Sequence, residues 1–156
     1  MNFWWWRAYA GYRLARWLLR FAWLVRQPRA WQWMQGQYAR MAALGYVPAQ
    51  SFYGHLLLHR GQGFAVGDEA RRLLRLAAQG GDDKAAYQLG VLALQGSVQE
   101  APDARQAASY WQMASDAGHP LATYRLAQLY RQGGPGLACD LQAAERLEQR
   151  AHEQGY

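Results

Sequence analysis

The chain has 156 residues, 51% of them apolar, and a formal net charge of +6. It is long enough for one structural domain with a real core. Arg and Gln interrupt every apolar run before 18 residues, which excludes a membrane-spanning helix. The lone Cys139 excludes an internal disulfide framework and fits a reducing compartment, the cytoplasm. The charge is unevenly placed. Residues 1–67 carry eight Arg and no acid, giving +8, and the remainder sums to −2. Seven of the eight Trp lie at or before Trp33. A basic, Trp-rich half beside a mildly acidic half suggests a contact surface for something anionic.

The start, MNFWWWRAYAGYRLARWLLR, is a poor signal peptide, because its apolar run stops at Arg7, and Arg13, Arg16 and Arg20 interrupt the next stretch. It is Arg-rich and acid-free like a transit peptide but lacks Ser. On a helical wheel Arg13, Arg16 and Arg20 gather on one side, opposite Leu14, Leu18, Phe21 and Val25. Two readings stay open: a capping helix with one face on a core, or an interfacial helix at an anionic membrane. Trp4, Trp5, Trp6 and Arg7 form a cluster expected to meet a membrane or a partner.

Four helix pairs succeed one another in chain order: 12–21 with 31–44, 49–60 with 68–79, 85–95 with 103–117, and 122–132 with 140–154. Gly45, Gly81, Gly118 and Gly155 close them at spacings of 36, 37 and 37 residues. A Gly just past a helix fits a left-handed cap. "AAYQLGVLALQG" at 85–96 is echoed by "ATYRLAQLYRQG" at 122–133, and "YRLA" occurs at 12–15 and again at 124–127. Turn-rich stretches at 61–63, 96–102 and 133–136 separate the helices within pairs, and Asp103 and Asp140 stand where N-caps belong. Period-two alternation is absent. A hairpin of this kind buries its apolar face only by stacking on neighbours.

The third pair carries Leu89-Gly90, Gly96, Asp103, Ala107, Tyr110-Trp111, Ala114 and Gly118. The fourth carries Leu126-Ala127, Gly133, Gly136, Asp140, Ala144, Ala151 and Gly155. With these residues the run from about residue 8 to 156 resembles the Sel1-like repeat family, relatives of the tetratricopeptide repeats. The second pair retains Gly61, Gly63, Ala70, Ala77-Ala78 and Gly81, and the first is divergent. The resemblance implies an all-α fold, a right-handed α/α solenoid of about four helical hairpins. Residues 1–45 would be a divergent N-terminal cap, and 46–156 three repeats (46–81, 82–118 and 119–155). It also implies protein binding without catalysis.

In such solenoids the first helices line a concave face. Aligning Ala15, His55, Gly90 and Ala127 places Tyr12, Phe52, Tyr87 and Tyr124 in one aromatic row, and Trp17, Leu57, Leu92 and Leu129 in a core row; aligning Gly54 instead of His55 replaces Phe52 by Ser51. Arg16, Arg20, His59, Arg60, Gln95, Gln128 and Arg131 then complete a partner-binding surface suited to an acidic peptide, since Arg grips carboxylates in a bidentate fashion and aromatics add rigid contact area. The same aromatics also suit packing between helices.

Catalytic and metal chemistry are not expected. His55 and His59 stand four apart, but Leu56 occupies the place where a zinc-protease pattern needs Glu. Gly61-Gln-Gly63 comes after a helix rather than a strand, so it is no dinucleotide fingerprint. Cys139 has no evident activating base, and His119 and His152 read as loop or surface residues. No metal or cofactor is implied. The sequence describes a non-catalytic adaptor with an acidic protein partner, in the cytoplasm. Its alternative is a peripheral protein at the inner face of a membrane. Nucleic acid is disfavoured by the acidic second half, and the charge split suggests weak head-to-tail self-association.

Overall fold

The computed structural model describes residues 3–60, 64–97 and 100–156. The expected loop at Gly61-Gln-Gly63 and part of the 96–102 loop lie outside them. The elements are α1 (Phe3–Leu18), α2 (Ala22–Val25), α3 (Pro28–Ala43), α4 (Val47–Arg60), α5 (Phe64–Gln79), α6 (Asp83–Gln95), α7 (Ala104–Asp116), α8 (Pro120–Gln132) and α9 (Leu141–Glu153). Among the described residues there is no strand, only an isolated bridge between Gly134 and Leu137. The chain forms two compact units, Met1–Leu76 and Ala77–Tyr156, so the division falls within α5.

Helix ends are set by local chemistry and repeat with the period of the sequence. Gly45, Gly81, Gly118 and Gly155 all have φ between 80 and 90°, where a Cβ would be strained. At each, two backbone bonds close the helix: Tyr46 N–H donates to Met41 O and Gly45 N–H to Ala42 O, and the same pair recurs with Asp82/Gly81, His119/Gly118 and Tyr156/Gly155. This is the Schellman arrangement, which satisfies carbonyls the helix itself cannot. Asp103 and Asp140 accept the N–H groups of Gln106 and Ala143, as expected of N-caps. Asp82 caps α6 through Ala85 N–H. One period later His119 Nδ1 accepts from Ala122 N–H, so this residue, read from the sequence as loop or surface, is an N-cap.

In the N-terminal unit α1 and α4 pack with α3 around Tyr12, Ala15, Met34, Tyr38, Met41 and Ala42, all buried. The Tyr38 hydroxyl donates to Ala15 O at 2.9 Å. Burial, with Tyr12 beside it, pushes the Tyr38 phenol up to about 12. Two expectations fail here. The first helix, expected over 12–21, spans Phe3–Leu18 instead, so it includes the Trp cluster and stops before Phe21. Trp17, placed in a core row, is 51% exposed, whereas Leu57 and Leu129 are buried as expected.

The close approach of paired helices fixes the true register. A Cβ on Gly90 would strike the Trp111 indole, one on Gly54 would come 2.9 Å from Leu74 Cγ, and one on Gly11 would strike the Gln37 amide. Gln37, Leu74 and Trp111 are themselves 37 residues apart. Gly11, Gly54 and Gly90 are therefore equivalent, and neither His55 nor Ala15 belongs in that row. The first hairpin separates its two partners by 26 residues, against 20 and 21 in the next two. The short helix α2 occupies the extra length. The aromatic row built on the other register dissolves in the first two hairpins, where Ala8 and Ser51 hold the position of Tyr87 and Tyr124.

Candidate functional site

In the N-terminal unit a concavity of about 360 Å³ is lined by Tyr12, Arg13, Arg16, Trp17, Arg20, Tyr46 and Pro48. The spacing of Arg13, Arg16 and Arg20 puts three guanidinium groups on one side of α1 and the turn after it. Tyr12 is buried, so its ring is core and not an open surface; its hydroxyl lies 3.4 Å from Pro48 O and accepts from Arg16 Nη1 at 3.3 Å. The Arg16 guanidinium also lies over the Phe52 ring, 4.9 Å from its centroid. Half-buried Phe52 thus supports Arg16 although it left the predicted row. Arg60 lies 5.0 Å over the Trp31 ring. His59 is exposed, and its Nδ1 is 2.8 Å from His55 O, while His55 Nδ1 is 2.8 Å from Ser51 O. Both rings are held by their own helix through Nδ1.

Tyr46 closes the other side of the pocket. It comes directly after the capping Gly45, and its ring meets Tyr9 and Tyr12 edge-on at 5.7 and 5.8 Å. Desolvation and these two phenols raise its pKa above the ordinary tyrosine value. The position after the capping Gly118 and Gly155 also carries a stacked ring, whereas Asp82 after Gly81 caps α6. His119 stacks on Tyr87 at 4.8 Å, and Tyr156 tilts onto Tyr124 at 5.0 Å. The sequence analysis did not single out these rings, whose signal is an aromatic residue or His after three of the four periodic Gly.

In the C-terminal unit the predicted residues do not assemble into a cationic site. Tyr87 and Tyr124 are half-buried and engaged in those stacks, and the Tyr87 carbonyl accepts from Trp111 Nε1 at 3.1 Å. Gln128 donates to the Tyr124 hydroxyl at 2.7 Å. Arg131 pairs with Glu148 of α9 at 2.6 Å, which offsets its charge. Gln95 is exposed at the end of α6. Among the described residues the salt bridges all involve acids at or beyond Asp68, as they must when no carboxylate precedes it. The Arg-rich pocket of α1 thus sits in a region without a neutralising side chain nearby in sequence.

Cys139 is exposed and its Sγ lies 3.1 Å from Arg131 O. Among the described residues no three His, Cys, Asp or Glu side chains gather as a metal site, and no helix is long and apolar enough to cross a membrane.

Helical hairpins with a 37-residue period, Gly-gated contacts between paired helices and Gly-ended second helices define an α/α helical-repeat protein. Comparison with solved structures gives the family. A Sel1 repeat protein from Oxalobacter formigenes is 33% identical over 76% of this chain and 88% of its own, with a TM-score of 0.64. The chain belongs to the Sel1 repeat family. The protein c5321, a protective antigen of uropathogenic Escherichia coli with the same repeat fold, superposes with a TM-score of 0.76 over 96% of this chain at 21% identity; the match covers 31% of the antigen. No known family profile matches the sequence, and no curated protein matches it. Repeats of this fold commonly serve as protein-interaction scaffolds, typically without catalysis of their own.

Proposed function

We propose that the protein is a non-catalytic adaptor that binds an acidic segment of a partner protein in the Arg13/Arg16/Arg20 pocket of its N-terminal unit. The observation that carries this reading is the pocket itself: three arginines beside Trp17 and Tyr46, in a stretch with no Asp or Glu before Asp68. Guanidinium groups bind carboxylates with paired hydrogen bonds, and flat rings beside them give contact area at low entropic cost. Arg16 is preorganised for this, since Tyr12 and Phe52 already hold it. This assigns the acidic preference to α1 rather than to a row along all four first helices.

The test is binding of a fluorescein-labelled, Glu-rich peptide containing one aromatic residue, monitored by anisotropy without lipid. Binding should weaken as salt rises, because exposed charges are screened over a Debye length that falls from about 10 Å at 0.1 M to about 3 Å at 1 M. Reversal of Arg13, Arg16 and Arg20 to Glu should remove it, while Arg131→Glu should leave it in place, because Arg131 is already paired. Affinity unchanged by the triple reversal would refute the pocket.

A further inference from the structure

The α1 helix has two apolar stripes, and only one of them reaches a core. Trp5, Ala8, Tyr12 and Ala15 face the N-terminal unit's interior. On the opposite side Phe3, Trp6, Ala10, Leu14 and Trp17 succeed one another at steps of three and four residues, and all are exposed. Phe3 is 72% exposed, Trp6 52% and Leu14 49%. Phe21 extends the stripe, with its ring 5.0 Å from that of Trp17. Arg7 borders it on one side and Arg13 on the other, and the Arg7 guanidinium also lies over the Phe3 and Trp4 rings at 5.9 and 5.2 Å. The sequence wheel placed Leu14 on the apolar side opposite the arginines, which the cap reading would bury. The structure turns it outward, so a cap whose outer face is simply polar does not describe this helix.

From this geometry we infer that the outer stripe of α1 docks in the plane of an anionic phospholipid bilayer, a contact beyond peptide binding in the pocket, which it adjoins at Arg13 and Trp17. A large apolar face left on a protein surface marks a contact. Three observations select the occupant. The stripe is dominated by Trp and Phe bordered by Arg, the composition of interfacial helices, with rings at headgroup depth and arginines reaching phosphates. The first 67 residues carry +8, which complements an anionic surface and disfavours a second copy of the same face. At 16 residues α1 is about 24 Å long, shorter than the roughly 30 Å hydrocarbon core, so it lies in the interface rather than across it.

The experiment uses the full chain and vesicles of phosphatidylcholine alone or mixed with phosphatidylglycerol, with brominated acyl chains in a parallel set. The chain should sediment with the mixed vesicles and not with phosphatidylcholine, and bromolipid should quench its Trp fluorescence. Trp6→Ser combined with Leu14→Ser changes only exposed positions and spares the pocket lining. It should weaken vesicle binding about tenfold, with unchanged circular dichroism and unchanged Glu-rich peptide binding. If that variant fails to fold, quenching of the wild-type chain by bromolipid decides the matter. A folded wild-type chain that stays in the supernatant, or equal binding by a folded variant, overturns the inference. So does a lipid-free dimer that the variant converts to monomer, which would assign the stripe to a second copy. Loss of peptide binding after the Arg reversals, with vesicle binding retained or lost, reports on the pocket separately.

Discussion

At the residue scale, three small or buried side chains carry more of the fold than their size suggests. Gly90 lets the Trp111 indole reach the Tyr87 carbonyl. Gly90→Ala overpacks that contact and should cost about 1–3 kcal/mol in urea unfolding, with the midpoint lowered at constant slope. Gly54→Ala should cost a similar amount, because its Cβ would meet Leu74 Cγ at 2.9 Å and the backbone Ala70 O at 3.2 Å, and Leu74 is fully buried. Tyr38 makes a pH prediction. Its folded pKa of about 12 lies above the value of 10.0 for a free phenol. Its contribution is therefore fully present below pH 10 and is lost as pH rises toward 12, because the unfolded chain releases the proton first. Alkaline titration of phenolate absorbance should show one tyrosine titrating near pH 12 in the folded chain, and Tyr38→Phe should remove that step.

At the element scale, helix boundaries are set by residues that serve backbone groups. Asp103→Ala and Asp140→Ala each remove an acceptor from an orphan N–H at the start of α7 or α9. Each should lower stability by about 1 kcal/mol, measured by far-ultraviolet circular dichroism in urea. Gly118→Ala forces an alanine to φ near 90° and should cost a similar amount, about 1–2 kcal/mol. These positions were legible in the sequence because a cap needs only its own side chain and the next turn of backbone. The short α2 was not, since AWLV between Phe21 and Arg26 has no capping side chain and lies within an Arg- and Trp-rich linker. The register of the first hairpin was misread, and that of the second was left between His55 and Gly54, for a related reason. "YRLA" at 12–15 matches 124–127 in letters, but which small residue faces the partner helix is decided by Gln37, Leu74 and Trp111 across the interface.

At the scale of the whole molecule the charge is asymmetric, with +8 over residues 1–67 and −2 over the rest. In its basic half Arg13, Arg16 and Arg20 line one pocket of the N-terminal unit, the site proposed above for an acidic segment. In the C-terminal unit Arg131 and Arg150 are balanced by Glu148 and Asp116. Charge reversal at the first three should therefore change both affinity for acidic peptides and its salt slope. Charge reversal at Arg131 should instead act on stability, and weakly, because an exposed ion pair contributes about 0–1 kcal/mol. Chemical denaturation of Arg131→Glu beside the peptide assay separates the two effects.

Of the candidate surface, the sequence supplied the arginines, the aromatics and the acid-free stretch, but not which of them share a pocket. Arg16 and Arg20 do line one concavity with Tyr12, whose ring is buried. Tyr46 was missed because it lies 34 residues further along, and Tyr87, Tyr124 and Arg131 proved to have partners within their own unit.

The sequence by itself determined the class of fold, the period, the helix ends marked by capping Gly and Asp, and the distribution of charge, because these act through chain neighbours. Tertiary structure alone decided the register between paired helices, the outward turn of Leu14 and Trp17, and which arginines are balanced by acids. Those properties depend on what stands opposite a side chain, and for Gly11, Gly54, Gly90, Arg131 and Arg150 the group opposite comes from another helix.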